Sequence, residues 1–111
     1  MLGIGVQTQN AVTDDNPFIG FERLKKAGFT NCDFSLNGYL KNTNLYQNEL
    51  NQFFNQSTEE LCEYFRPHKE AAKANGIGIN QMHMPYPAYI PTAKDEVNEY
   101  LWEKMIPKSM A

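Results

Sequence analysis

Apolar positions alternate between two periods along the chain, and the alternation predicts the elements. Residues 2–8, "LGIGVQT", form a short apolar, glycine-containing run that reads as a buried strand. In the next segment, "NPFIGFERLKKAGF", Asn16 suits an N-cap and Pro17 the first helical position. Phe18, Phe21, Leu24 and the stem of Lys25 make its apolar stripe, Lys25 and Lys26 favour the negative end of the dipole, and Gly28 supplies the stop. "TNCDFSL" predicts a second strand. Residues 37–56 are rich in Asn and Gln and carry scattered aromatic and aliphatic anchors, so they read as a long loop with a short helical turn rather than as a prion-like tract.

The helical period returns in "STEELCEYFRPHKEAAKANGI". Ser57 and Glu60 form a capping box, and Leu61, Tyr64, Phe65, His68, Ala71 and Ala72 share a face. Pro67 is expected to kink this helix or break its ladder, and Asn75-Gly76 ends it. "IGINQMHM" predicts a third strand and "MPYPAYIPTAKD" a loop. A last helix runs through "KDEVNEYLWEKMIPKSMA", with Val97, Leu101, Met105 and Met110 on one face, Tyr100 and Trp102 packed, and an interruption at Pro107. Strands alternating with helices predict parallel pairing through crossovers.

An internal repeat supports this order. "KAGFTNCDFS" (26–35) and "ANGIGINQMH" (74–83) align without gaps at an offset of 48 residues. Gly28 matches Gly76, Phe29 matches Ile77, Phe34 matches Met82, and Ser35 matches His83. Ser35 and His83 are therefore expected at the same place in two successive units, the carboxyl end of a parallel strand. Met82 and Met84 flank His83 and are expected on the opposite face.

Composition narrows the class. The chain has 111 residues, 41% apolar and 21% charged, which is ordinary usage for one folded domain spanning residues 1–111. The net charge is −3 and no long Lys/Arg run occurs, which argues against a nucleic-acid partner. No window approaches the ~18 consecutive apolar residues of a membrane span, and the N-terminus lacks the regions of a signal peptide. Cys32 and Cys62 lie far apart with no CxxC, so two buried thiols in a reducing cytoplasm are expected, without a disulfide framework or a zinc ribbon.

His83 leads the candidate residues, because neutral imidazole can donate to or accept from a hydroxyl, ligate a metal or shuttle a proton. Asp33 is expected on the same face as Ser35, either in a pocket or buried and paired deeper in the sheet. Gln7, Thr8, Ser35 and Asn37 end the first two strands and are candidate ligand contacts. His68 is expected to be solvated on an outer helix. The glycines of "LGIGVQ" lie inside a strand and lack GxGxxG spacing, so they make no phosphate loop, and neither Walker, GxSxG nor HExxH motifs occur.

Four stretches in this order carry a family likeness: "LGIGVQT", "LKKAGFTNCDFSLNG", "AAKANGIGINQMHMPYP" and "EKMIPKSMA". Together they resemble the amino-terminal part of the sugar phosphate isomerase/epimerase family, xylose-isomerase-like TIM barrels that also include inosose dehydratases and type IV apurinic endonucleases. The resemblance implies an α/β fold, about three βα units of a partial (β/α)8 barrel. A whole barrel takes roughly 250 residues, so a fragment of a longer barrel is expected; a complete small α/β domain is the rival. The implied activity is interconversion of a ketose or related polyol by metal-assisted proton transfer, with a divalent metal (Mn, Mg, Co or Zn) polarising the carbonyl and two carboxylates moving the proton. The implied metal ligands, two acidic residues, an Asp and a His, come from later strands. In the isomerases a residue like His83 lines the sugar pocket; in the endonucleases it ligates zinc. This chain alone is therefore expected to be inactive and to bind no metal. The alternative is a non-catalytic partial-barrel module that forms homo-oligomers through open strand edges.

Overall fold

The computed structural model describes residues 2–40 and 43–111. Strands β1 (Gly5–Gln7), β2 (Asn31–Ser35) and β3 (Gly78–His83) form one parallel sheet in the order β1-β2-β3. Helix α1 (Pro17–Lys26) connects the first pair and α2 (Thr58–Ala74) the second. The last helical stretch comprises α3 (Asp95–Tyr100), a π turn (Leu101–Met105) and α4 (Ile106–Met110). The molecule is drawn out, 47 × 26 × 21 Å, with a radius of gyration of 15.1 Å; about 13 Å is usual for a compact chain of this length.

Local chemistry sets the boundaries as the sequence indicates. The Asn16 side chain accepts from the Ile19 amide at 3.2 Å, with Pro17 first in α1. Both halves of the Ser57–Glu60 capping box are present. Gly28 and Gly76 follow the two helices at φ +90° and +65°, the left-handed region that stops a helix. α2 runs through Pro67 without ending. Pro107 likewise does not interrupt the last helix. It follows the π turn, and its missing N–H leaves the Glu103 carbonyl without an α-helical donor.

The two faces of the sheet differ in kind. Cys32 and Phe34 of β2 point towards α1 and α2 and pack with Phe21, Leu24, Ala71, Ala72 and Ile77. The opposite face carries Gly5 and Gln7, then Asn31, Asp33 and Ser35, then Gly78, Gln81 and His83, by their register across the strands. No aliphatic or aromatic side chain stands in those rows. The loop between β2 and α2 holds three 3-10 turns, and it buries Tyr39, Leu40, Leu45 and Phe54 in the main core.

The β2–β3 register has one irregularity. Asn31 pairs with Gly78 and Cys32 with Ile79, but Asp33 pairs with Gln81, Phe34 with Met82 and Ser35 with His83. Asn80 is thus an extra residue, a β-bulge. Its amide donates to the Asn31 side chain at 2.9 Å, so Asn80 and Gln81 lie on the same polar face.

Several expected burials are reversed. β1 is an edge strand only three residues long; its Val6 packs against the core, but Leu2, 93% exposed, and Ile4 precede the strand and lie outside that core. Phe18 turns outward, and Gly20 takes the buried position in α1, where a Cβ would lie 2.7 Å from the Val12 Cα. Val97, Leu101 and Met105 are fully buried, but the next four-residue step lands on Ser109, so Met110 is exposed. Trp102 is also exposed, whereas Tyr100 packs as expected. Cys32 is buried, its thiol pushed up to about 11 by burial and then by the charge of Asp33, while Cys62 is exposed.

Candidate functional site at the carboxyl end of the sheet

The register places Ser35 directly beside His83, as the repeat requires, and Leu36 N donates to the His83 carbonyl at 2.8 Å. The row below holds Gln7, Asp33 and Gln81. Both rows lie on the polar face, towards the carboxyl ends of parallel strands, where loops of such folds form binding sites.

Each residue is held differently. Thr8 is fully buried and serves the ladder. Its backbone N–H donates to the Asp33 carbonyl at 3.0 Å, and its hydroxyl accepts from Ser35 N at 2.9 Å. That hydroxyl replaces a strand carbonyl, so the chain can turn away while Ser35 keeps a partner. Thr8 is thus a structural contact rather than a ligand contact. Ser35 Oγ accepts from the Asn37 amide at 3.3 Å. One carboxylate oxygen of Asp33, Oδ1, is buried with no hydrogen-bond partner among the described residues. That oxygen is thus left as an acceptor without a partner on the polar face.

His83 Nδ1 lies 2.9 Å from the Met84 carbonyl. A carbonyl only accepts, so Nδ1 carries the hydrogen and Nε2 of the neutral ring keeps its lone pair. The Tyr86 ring meets the imidazole edge-on at 5.7 Å. The ring is therefore oriented, and Nε2 remains available to a hydroxyl or an incoming donor.

Above β1 and β2 lies a cavity of about 410 Å³. Ser35 and Asn37 line it together with Gln9, Asn10, Thr13, Asp14, Tyr39 and Thr43. Gln7, Asp33 and His83 do not line it; they lie on the adjoining polar face. The stretch 9–14 was legible only as a polar segment after a strand. Its role follows from position, since loops at strand carboxyl ends carry binding groups. Asn10 holds a left-handed conformation at φ 65°, which asparagine tolerates better than most residues.

The cavity wall leans on an aromatic cluster that sequence reasoning missed. His68 is 4% exposed, not solvated. It shares the inner face of α2 with Tyr64 and Phe65, and its Nε2 lies 2.8 Å from the Tyr39 hydroxyl. Burial lowers its pKa, partly opposed by the charge of Asp14. Tyr64 donates to Asp14 at 2.9 Å. The Tyr39 and Tyr64 hydroxyls are both raised well above the usual phenol value, first by burial, so both remain protonated donors. Signals were present in the shared helical face of residues 61–72 and in the aromatic anchors of the loop, but no pattern in sequence says that the loop folds back over His68.

Among the described residues no three His, Cys, Asp or Glu side chains come together to hold a metal ion. Among the described residues, no helix is long and apolar enough to cross a membrane. No protein-family model, no curated protein and no solved structure matches this chain.

Proposed function

We propose that the carboxyl end of this sheet binds a polyhydroxylated small molecule, a ketose or related polyol, as one wall of an isomerase- or epimerase-like barrel. The carrying observation is the side-by-side placement of Ser35 and His83 on a polar strand-end face next to a cavity lined by hydroxyl and amide groups. Such a lining offers both donors and acceptors, as a sugar's hydroxyls require. The oriented His83 Nε2 accepts from a hydroxyl, and Asp33 supplies a further acceptor on the same face. The all-polar face of the sheet supports a barrel interior in which ligand, rather than aliphatic core, fills the mouth. The likeness to sugar phosphate isomerases/epimerases rests on the motifs quoted above. Metal-assisted proton transfer would need acidic ligands beyond those gathered here, so no catalytic step is assigned to these residues.

Titration with ketose phosphates and polyols, followed by amide chemical shifts, tests this reading. Shifts are expected at Gln9–Asp14, Ser35, Asn37 and His83, and Asn37→Ala or His83→Ala is expected to weaken binding about tenfold, the worth of one good hydrogen bond. Shifts confined to other surfaces, or none up to millimolar ligand, would overturn it. With Mn²⁺ or Mg²⁺ added, the chain by itself is expected to turn over no ketose.

One observation favours a second reading. Among the described residues β1 and β3 each pair on one side only, which suits a non-catalytic module that associates edge to edge.

A further inference from the structure

The helix-covered side of the sheet is not fully covered. Between α2 and the end of α4 runs an apolar trough of about 570 Å³. Phe34, Ile79 and Met82 line its sheet side, and Leu61, Phe65 and Ala72 its α2 side. Ile79 and Met82 are 43% and 44% exposed, unusual for the helix-facing side of a parallel strand. Among the described residues no Asp or Glu lines the trough, but Lys69, Lys73 and Lys108 do. Lys69 and Lys73 are one helical turn apart, exposed, and in no ion pair among the described residues.

The same molecule presents a surface of the opposite character. In the last helical stretch Val97, Leu101, Met105 and Ser109 form the buried line. Beside that line, also in four-residue steps, stand Trp102, Ile106 and Met110; Trp102 is 58% and Met110 76% exposed. Glu99 and Glu103 flank Trp102, exposed and in no ion pair among the described residues. On the other side of the buried line lies Lys108, at the trough, with Lys104 one turn before it. One flank of this helix is therefore apolar and acidic, and the other borders an apolar trough rimmed with cations.

From this complementarity we infer that the chain associates with copies of itself head to tail. The Trp102–Ile106–Met110 stripe of one copy seats in the trough of the next, with Glu99 and Glu103 against Lys69 and Lys73. Apolar burial drives the contact, and the charges set its orientation. The stripe and the trough are different patches on different flanks, so the contact is heterologous. It uses neither strand edge and goes beyond the ligand reading of the mouth.

Sedimentation velocity over a micromolar-to-millimolar range, with fluorescence of the single tryptophan, tests it. Mass is expected to grow with concentration, with a parallel blue shift of Trp102 emission and a weakening in high salt. Trp102→Glu and the double variant Lys69→Glu/Lys73→Glu are each expected to weaken association at least about tenfold. Each variant spoils one patch and keeps the other, so a mixture of the two should form 1:1 heterodimers that grow no further. Melting curves confirm that the variants fold; Lys69→Gln/Lys73→Gln and Trp102→Gln replace any that do not. A monomer at all concentrations overturns the inference. So does association that survives both substitutions, the result expected of strand-edge pairing, and so does a mixture that stays monomeric. Ligand shifts at the mouth are unaffected by any of these outcomes.

Discussion

The two repeated segments, residues 26–35 and 74–83, begin alike and end differently. Each leaves a helix through a glycine at positive φ, at Gly28 and Gly76, and enters a parallel strand. Each then places one large apolar residue on the helix side and one polar residue at the strand end. Yet Phe34 is buried in an aromatic cluster with Tyr39, Phe65 and His68, while its counterpart Met82 is nearly half exposed. Ser35 is buried under Thr8 and Asn37, while His83 is half-exposed and meets Tyr86. Local sequence sets the backbone path in both units. Burial is set by neighbours: β2 has a strand on each side and two helices over it, and β3 has one strand and an open trough.

Four substitutions sharpen that contrast. Phe34→Ala in dilute solution is expected to cost about 3–5 kcal/mol of unfolding free energy, as for other buried aromatics, whereas Met82→Ala should cost less than about 1 kcal/mol because its side chain is already wet. Equal costs in urea denaturation would mean that the trough is filled. The glycines should behave alike despite their different surroundings. Gly28→Ala and Gly76→Ala are each expected to lose about 1–2 kcal/mol, the penalty for a side chain in left-handed backbone, since nothing within 4 Å would meet the added Cβ at either position. A large difference between them would place the cost in packing rather than in the turn.

The smallest effect belongs to the buried histidine of α2. The pKa of His68 is lowered in the folded chain, first by burial, so below about pH 6.5, the ordinary imidazole value, the unfolded chain binds the extra proton. Its contribution is therefore complete above that pH and falls away as the solution is acidified. His68→Gln should flatten this part of the stability profile. A profile that His68→Gln leaves unchanged would show that His68 is not the buried group that titrates.

Much of the fold could be read from residue order because caps, glycine stops and periodicity are local. Asn16, the Ser57–Glu60 box and both helix-ending glycines fall where their chemistry requires. The alternation of β2 likewise placed Asp33 and Ser35 on one face and Cys32 and Phe34 on the other. The repeat located the pairing of Ser35 with His83. Coverage was not legible, because it depends on residues distant in sequence. Leu2, Ile4, Phe18 and Trp102 are apolar and exposed, while His68 is polar and buried, for reasons that lie in which elements reach them. The cavity at the strand ends was half legible: Ser35 and Asn37 were expected there, but Gln9, Asn10 and Thr13 joined them only through the path of the β1–α1 loop.

The bulge at Asn80 acts as a frame correction within a strand. Below it, partners on β2 and β3 differ by 47 in number, as in Asn31 with Gly78; above it they differ by 48, as in Ser35 with His83. Had the lower count continued, Ser35 would face Met82, and His83 would point towards the helices. With the bulge kept, a one-residue deletion elsewhere in β3 would transpose its two faces beyond that point. Removing Asn80 alone would merge the two counts into one regular ladder and leave the imidazole beside Ser35. The strand thus carries a single site at which its length can change without relocating its chemistry.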